Sequence, residues 1–421
     1  MKKPSILLAI FAFSLFAASS VGLLASEPPN AVQLLARKDL QALGQKIFFD
    51  ENLSRPAGQS CASCHGVQVG WSGPDLLINQ ASGIYEGATK GRFSNRKPPS
   101  SAYATLSPKL HLGEEGFVGG NFWDGRATGW MLGNPAADQA QGPFLNPVEQ
   151  NLPDAASVVA KVCAAEYKAD FKAQAKAHWG IADICAASGK NPDMAFAIVA
   201  LAIAAFEHSP AMNAFSSKYD RFLTGKVRLS PLEKKGLELF EGKGKCADCH
   251  PSRPGPDGSP PLFTDFTYDN LGFPKNPKNP FYRMPKSINP EGGDWIDRGL
   301  GNTLALMPAF AWMAEEAMGL HRVPTLRNID LRPRPDFTKV YGHNGVFESL
   351  ELVVDYYNTR DVLPDCAKTK KPKTGINCWP APEIRANMNT EELGDLKLTR
   401  EEVKALVSFM KTLSDNYPPK K

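Results

Sequence analysis

Cys61-Ala62-Ser63-Cys64-His65 and Cys246-Ala247-Asp248-Cys249-His250 each set two thiols and an imidazole within one short run, twice in a single chain. In a Cys-x-x-Cys-His run the thiols add across the two vinyl groups of a porphyrin, and the histidine supplies an axial nitrogen to the iron. The two-residue gap puts the thiols about one helical turn apart, which matches the spacing of the vinyls. Two Cys-x-x-Cys pairs also suit a zinc ion. A histidine after each pair and an export-type N-terminus favour haem. The sequence therefore predicts two covalently attached c-type haems, held by Cys61, Cys64 and His65 and by Cys246, Cys249 and His250.

These motifs need elements to position them. Leu40 to Phe49 is amphipathic with a helical period, and Asp50 to Gln59 is a loop leading to the first motif. Ser230-Pro231-Leu232-Glu233 opens a second helix, with serine as N-cap, proline at the first helical position and an acidic first turn. That helix runs through Gly236, Leu237 and Phe240 to the Gly242-Lys243-Gly244-Lys245 loop before Cys246. Both halves thus read helix, glycine-bearing loop, then motif, an internal repeat of cytochrome c-like domains. Repeating strand signals are absent. The expectation is a mainly α fold with domains over 34–215 and 226–415 and a linker within Pro210 to Thr224. The stretches from Gly66 to Pro147 and from Pro251 to Pro308 are too long for idle connections and should form pockets.

Composition sets the bounds. A chain of 421 residues exceeds one ordinary domain, and its composition is that of a soluble globular protein. A formal charge of +4 without any basic run gives no reason to expect a nucleic-acid partner. Lys2 and Lys3 precede an apolar core from Ile6 to Phe16, followed by small residues through Ala25 and Ser26. This predicts a signal peptide over residues 1–25 and a periplasmic protein, with an uncleaved anchor as the alternative. Met194 to Phe206 is apolar but short and bracketed by Asp193, Glu207 and His208, so it reads as a buried core helix rather than a span. Cys163, Cys185, Cys366 and Cys378 remain after haem attachment. Local pairs Cys163–Cys185 and Cys366–Cys378 suit an oxidising compartment, although spacing leaves the connectivity open.

Asp220-Arg221-Phe222, then Gly236-Leu237 and Phe240-x-Gly242-Lys243-Gly244-x-Cys246-x-x-Cys249-His250, resemble the linker and second haem site of the bacterial di-haem cytochrome c peroxidase and MauG superfamily. Phe122-Trp123-Asp124-Gly125-Arg126, Gln139-Ala140-x-Gly142-Pro143, Asn146-Pro147-Val148-Glu149 and Val323-Pro324-Thr325-Leu326-Arg327-Asn328 extend the resemblance over nearly the whole mature chain. The resemblance implies a peroxide site at the N-terminal haem and an electron-handling C-terminal haem. It implies Glu149 as the acid–base group, Gln139 as a distal-pocket amide and Trp123 as a relay between the haems. Asp124 and Arg126 take structural roles, in turn formation and carboxylate or propionate pairing. His343 matches a family histidine near the second haem. Read without the resemblance, Glu149 would be a solvated loop carboxylate and Trp123 a core residue.

Departures from the peroxidase pattern favour the MauG-like branch. The stretch from Gly83 to Pro99 carries no histidine to cap the first haem, and His111, in an apparent insertion, is the one candidate to replace it. Tyr357 falls where peroxidases place a methionine ligand to the second haem, with its neighbour Tyr356 one position away. Met284, Met307, Met313 and Met318 are the reserve candidates. The resemblance also implies a calcium ion between the domains, with Asn95 as the side-chain ligand and carbonyls from Leu331 to Pro335. The expected function is an exported oxidoreductase that reacts with hydrogen peroxide. Its partner would be either an oxidisable protein, as for MauG-like enzymes, or a small periplasmic electron-donor protein, as for peroxidases proper. A non-enzymatic di-haem electron carrier is the alternative from a different class.

Overall fold

The computed structural model describes residues 31–418; the signal-peptide reading lies outside them. Helices dominate, and the strands are two short antiparallel pairs, His111–Leu112 with Phe117–Val118 and Tyr268–Asp269 with His321–Arg322. Apolar side chains gather into two large cores. One spans Leu34 to Met212 and the other Tyr219 to Leu413.

Each core is built on the same helix crossing. In the first, the Lys38–Phe48 helix packs on Pro192–Glu207, and a side chain at Gly44 would collide with the Ala202 carbonyl and Phe206. In the second, the Pro231–Phe240 helix packs on Arg400–Lys411, and a side chain at Gly236 would collide with the Ala405 carbonyl and Phe409. Both glycines bring two backbones within reach of close packing. Aromatic rings then fill in around the crossings: Phe48, Trp71 and Phe206 in one, Phe240, Phe263 and Phe409 in the other. The repeat seen in the motifs is thus a repeat of packing.

The expected helices are present. Pro192–Glu207 is buried along most of its length, and no helix among the described residues is long and apolar enough to cross a membrane. Pro231–Phe240 starts on a Ser230–Glu233 capping box. The linker differs from expectation. Ser217 caps a helix, Lys218–Leu223, that drives Tyr219 into the second core. Asp220 on it takes a bidentate pair from the buried Arg327 at 2.8 and 3.0 Å. Ser217 and Asp220 form another capping box, and burial of Tyr219 fixes the helix to the second lobe. Disulfides join Cys163 to Cys185 and Cys366 to Cys378, as expected.

Candidate active site: two cavities joined by a tryptophan

With four cysteines paired, the four free thiols are those of the two motifs. They line two different cavities. A four-thiolate zinc site is therefore not assembled. Each motif forms a tight turn directly after its loop, Cys61–Ser63 and Cys246–Cys249. His65 Nδ1 donates to the Trp71 carbonyl at 3.0 Å, with Ser101 Oγ also 3.0 Å away. His250 Nδ1 donates to the Phe263 carbonyl at 2.7 Å. In both cases the outer nitrogen is fixed and Nε2 is left for a metal, the arrangement that orients an axial imidazole. Burial lowers both imidazole pKa values, His65 to about 4, so each ring is neutral and able to ligate at physiological pH.

The first cavity is lined by Cys61, Cys64 and His65 together with Gln139, Glu149 and Trp123. Gln139 stands on the Pro135–Leu145 helix, which Asn134 caps, and Glu149 follows in the next turn. Burial raises the Glu149 pKa, and Arg126, Ser94 and Asn146 offset this only in part. A buried carboxyl whose pKa is raised holds its proton more readily than a solvated one, as an acid–base group must. Glu207, at the end of the Pro192–Glu207 helix, lines the same cavity with one oxygen lacking a protein partner, and burial pushes its pKa up to about 8. The sequence reading used Glu207 only to bound a helix. Its signal was an acid in a last helical turn, where the helix dipole disfavours one.

His65 is the single histidine lining the first cavity. His111 lies elsewhere, exposed on the His111–Leu112 strand with its ring bonded to the Lys109 carbonyl, because its insertion folds into a surface hairpin. It is not positioned to cap an iron at His65.

The second cavity is lined by Cys246, Cys249, His250 and Tyr357. Tyr357 lies on the Leu350–Thr359 helix, and burial raises its pKa. Tyr356 turns the other way on that helix. It is fully buried, its hydroxyl donates to the Gly272 carbonyl, and its ring packs on Trp379 at 4.9 Å. Met284, Met307, Met313 and Met318 do not line this cavity. Met284 packs with Val148 and Phe281, and Met307 and Met313 pack against the Leu300 cluster. Met410, not among the candidates considered, does line it.

Trp123 borders both cavities. Its indole N–H donates to the Lys97 carbonyl at 3.1 Å, and its own carbonyl accepts from Arg322 N at 2.9 Å. His343 lies against it with ring centroids 6.5 Å apart, and Phe273 stacks on His343 at 6.1 Å. His321 is stacked on His343 at 3.7 Å, both beside Asp297. Asp124 is buried, and burial alone would raise its pKa. Arg96 and Arg126 instead hold it below the usual range. Arg96 also grips Asp297, tying the Trp123 turn to the second lobe.

Lys97 and Arg322 border both cavities as well, and Arg322 Nε is buried without a partner. An unpaired buried guanidinium is costly unless an anion completes it. Porphyrin propionates are anions of the right kind. The unpartnered Arg322 Nε, the oriented imidazoles and the adjacent thiols together fit a c-type haem in each cavity. Of the groups implied for calcium, the Leu331 carbonyl already accepts from Lys339 Nζ at 3.0 Å, and Asn95 lines the first cavity with its backbone carbonyl bonded to Asn279 Nδ2.

The family profile for di-haem cytochrome c peroxidase matches residues 38–228. The chain is 34% identical over 389 residues to the methylamine utilization protein MauG of Paracoccus denitrificans, covering 90% of each. It is 27% identical over 421 residues to the cytochrome c551 peroxidase of Nitrosomonas europaea, covering 98% of this chain and 91% of that one. Among solved structures, the diheme peroxidase BthA of Burkholderia thailandensis superposes with a TM-score of 0.72 at 30% identity, over 90% of this chain and 87% of that chain. The chain belongs to the di-haem cytochrome c peroxidase family. It is an enzyme of the di-haem peroxidase class, an oxidoreductase that transfers electrons.

Proposed function

We propose that this protein is a periplasmic, MauG-like di-haem peroxidase that reduces hydrogen peroxide with electrons drawn from an oxidisable partner protein. One observation carries the reading: two cavities, each walled by a Cys-x-x-Cys-His motif, share Trp123, while Glu149 faces one and Tyr357 the other. Haem held by Cys61, Cys64 and His65 and by Cys246, Cys249 and His250 would supply redox chemistry in each cavity, and Tyr357 is the residue that would hold the second haem besides its motif. Glu149 takes a proton from the bound peroxide and returns it to the departing oxygen, with the Gln139 amide holding the peroxide in place. Trp123 relays electrons between the cavities. Lys97 and Arg322 pair with the propionates and hold the two groups against the tryptophan. The absence of a second histidine around the first cavity supports an iron that needs no reductive opening. Two disulfides support an oxidising compartment.

Electron paramagnetic resonance of the oxidised holoprotein, before and after peroxide, tests this. One high-spin and one low-spin signal, both lost with peroxide, are expected. Two low-spin signals indifferent to peroxide would instead describe an enzyme needing reductive activation by a small electron donor, or a plain carrier.

A further inference from the structure

The seam between the lobes holds a buried cation that the chain itself supplies. Lys339 is 7% exposed, and its Nζ donates to the carbonyls of Val69 at 2.9 Å, Asn328 at 3.0 Å and Leu331 at 3.0 Å. Val69 follows the first haem motif, whereas Asn328 and Leu331 belong to the second lobe. The nearby Asp330 gives its carboxylate to Arg332 rather than to Lys339.

The three acceptors are held by other groups. Gly70 has φ of 70°, and a side chain there would run into Asn328, so glycine is what lets Val69 approach. Asn328 takes a left-handed φ of 60° and is pinned by Asp415, which accepts from its Nδ2 and donates a backbone N–H to its Oδ1, both at 2.8 Å. A second crossing stands beside this one. Asn79 Nδ2 donates to Gly73 in its own lobe at 3.0 Å and to Thr338 in the other at 3.1 Å.

Three converging carbonyls with no carboxylate among them form a cation site. An ammonium has three N–H donors and reaches all of them, whereas a neutral amine has only two. The Val69 and Asn328 carbonyls also accept from Ser72 Oγ and the Leu331 N–H, so the Leu331 carbonyl is the one that depends on the third donor. Burial, then repulsion from Lys97 and Arg332, push the amine down to about 7, with Asp330 opposing the shift. Calcium would need about six to eight oxygens at about 2.3–2.6 Å. Here Leu331, the first of the carbonyls assigned to it, already accepts from Lys339.

We propose that the Lys339 ammonium is the interdomain cation of this enzyme, taking the Leu331 carbonyl that the family resemblance assigns to calcium, so that the lobes are joined without a metal ion. This stands on the seam alone and is independent of the peroxide chemistry.

The test starts from intact holoprotein dialysed against EGTA and then returned to millimolar calcium. Metal analysis should find calcium far below one ion per chain at both stages, with thermal midpoint and haem resonance spectrum unchanged throughout. One tightly held calcium per chain, lost to EGTA with a fall in the midpoint, would overturn the proposal. Lys339→Met keeps the length of the side chain and removes its charge. Its holoprotein should unfold at lower temperature and be cut faster by protease in the stretch before Ser217. A variant as stable and as resistant as the parent would equally overturn it. If the variant does not fold, the metal count on the parent still decides.

Discussion

The two lobes share a helix crossing, a motif and an oriented imidazole, yet the rest of each cavity differs. In the first lobe a loop after the Pro135–Leu145 helix delivers Glu149, and the core helix ends on Glu207. In the second a regular helix delivers Tyr357. The duplicated part is the part that holds a haem. The varied part places a carboxyl in one cavity and a phenol in the other. A fold repeated within one chain thus carries two chemistries, because function resides in the groups placed around the scaffold.

The sharpest way to break the comparison is Glu149→Gln. The rate of reaction with peroxide, followed by stopped-flow on the holoprotein, should fall by about 10²–10⁴-fold, the usual contribution of a positioned acid–base group. The spectrum of the second haem should not change. The pH profile adds a sign. Glu149 must be ionised to accept the first proton, and burial raises its pKa, so the parent rate should fall with decreasing pH above the ordinary carboxylate range. The variant should lack that limb. An unchanged rate would make the first lobe as inert as the second and favour an electron carrier.

Much of this was legible in the sequence because it lies in contiguous runs. The two Cys-x-x-Cys-His motifs, the Ser230-Pro231 helix start and the apolar Met194 to Phe206 stretch each declare themselves within a few residues. Both disulfides are the local pairings that suited the sequence, although spacing alone left the connectivity open. What stayed hidden is assembled across the lobes. Arg322 and Lys97 belong to no chemical motif, and only the fold places them between two cavities. Lys339 gave no local hint, because its three acceptors are backbone carbonyls brought in from Val69, Asn328 and Leu331. The helix at Lys218 was missed for a different reason. Its Ser217–Asp220 capping box was readable, but the glycine- and polar-flanked stretch around it suggested a linker.

The disulfides extend the comparison to stability. Cys163–Cys185 closes 22 residues in the first lobe and Cys366–Cys378 closes 12 in the second. Replacing both cysteines of either pair by serine should cost about 3 kcal/mol, a thermal midpoint roughly 6–12 °C lower for a lobe of this size. The longer loop should cost more, but by only about 0.5 kcal/mol, because closure entropy grows slowly with length. Differential scanning calorimetry of the two variants checks both size and order. Each variant should lower chiefly the transition of its own lobe, and a single shared shift would show that the seam couples the lobes into one unit.

The finest division lies within two adjacent residues of the second lobe. Tyr356 and Tyr357 differ by one step on the helix, which turns their side chains roughly 100° apart. Tyr356 is spent on the core: its hydroxyl satisfies the Gly272 carbonyl. Tyr356→Phe should therefore cost about 1–3 kcal/mol by leaving that buried acceptor unpaired, with the haem spectrum unaltered. Among the described residues no group holds the Tyr357 hydroxyl in the cavity by a polar bond, so Tyr357→Phe should cost little in stability. It should instead change the ligand-sensitive resonance of the second haem and slow the loss of that signal after peroxide. Chemical denaturation and paramagnetic resonance on the two variants read these effects separately. If the two swapped roles, with Tyr356→Phe changing the spectrum and Tyr357→Phe only the stability, the helix would be rotated from the orientation that places Tyr357 beside His250.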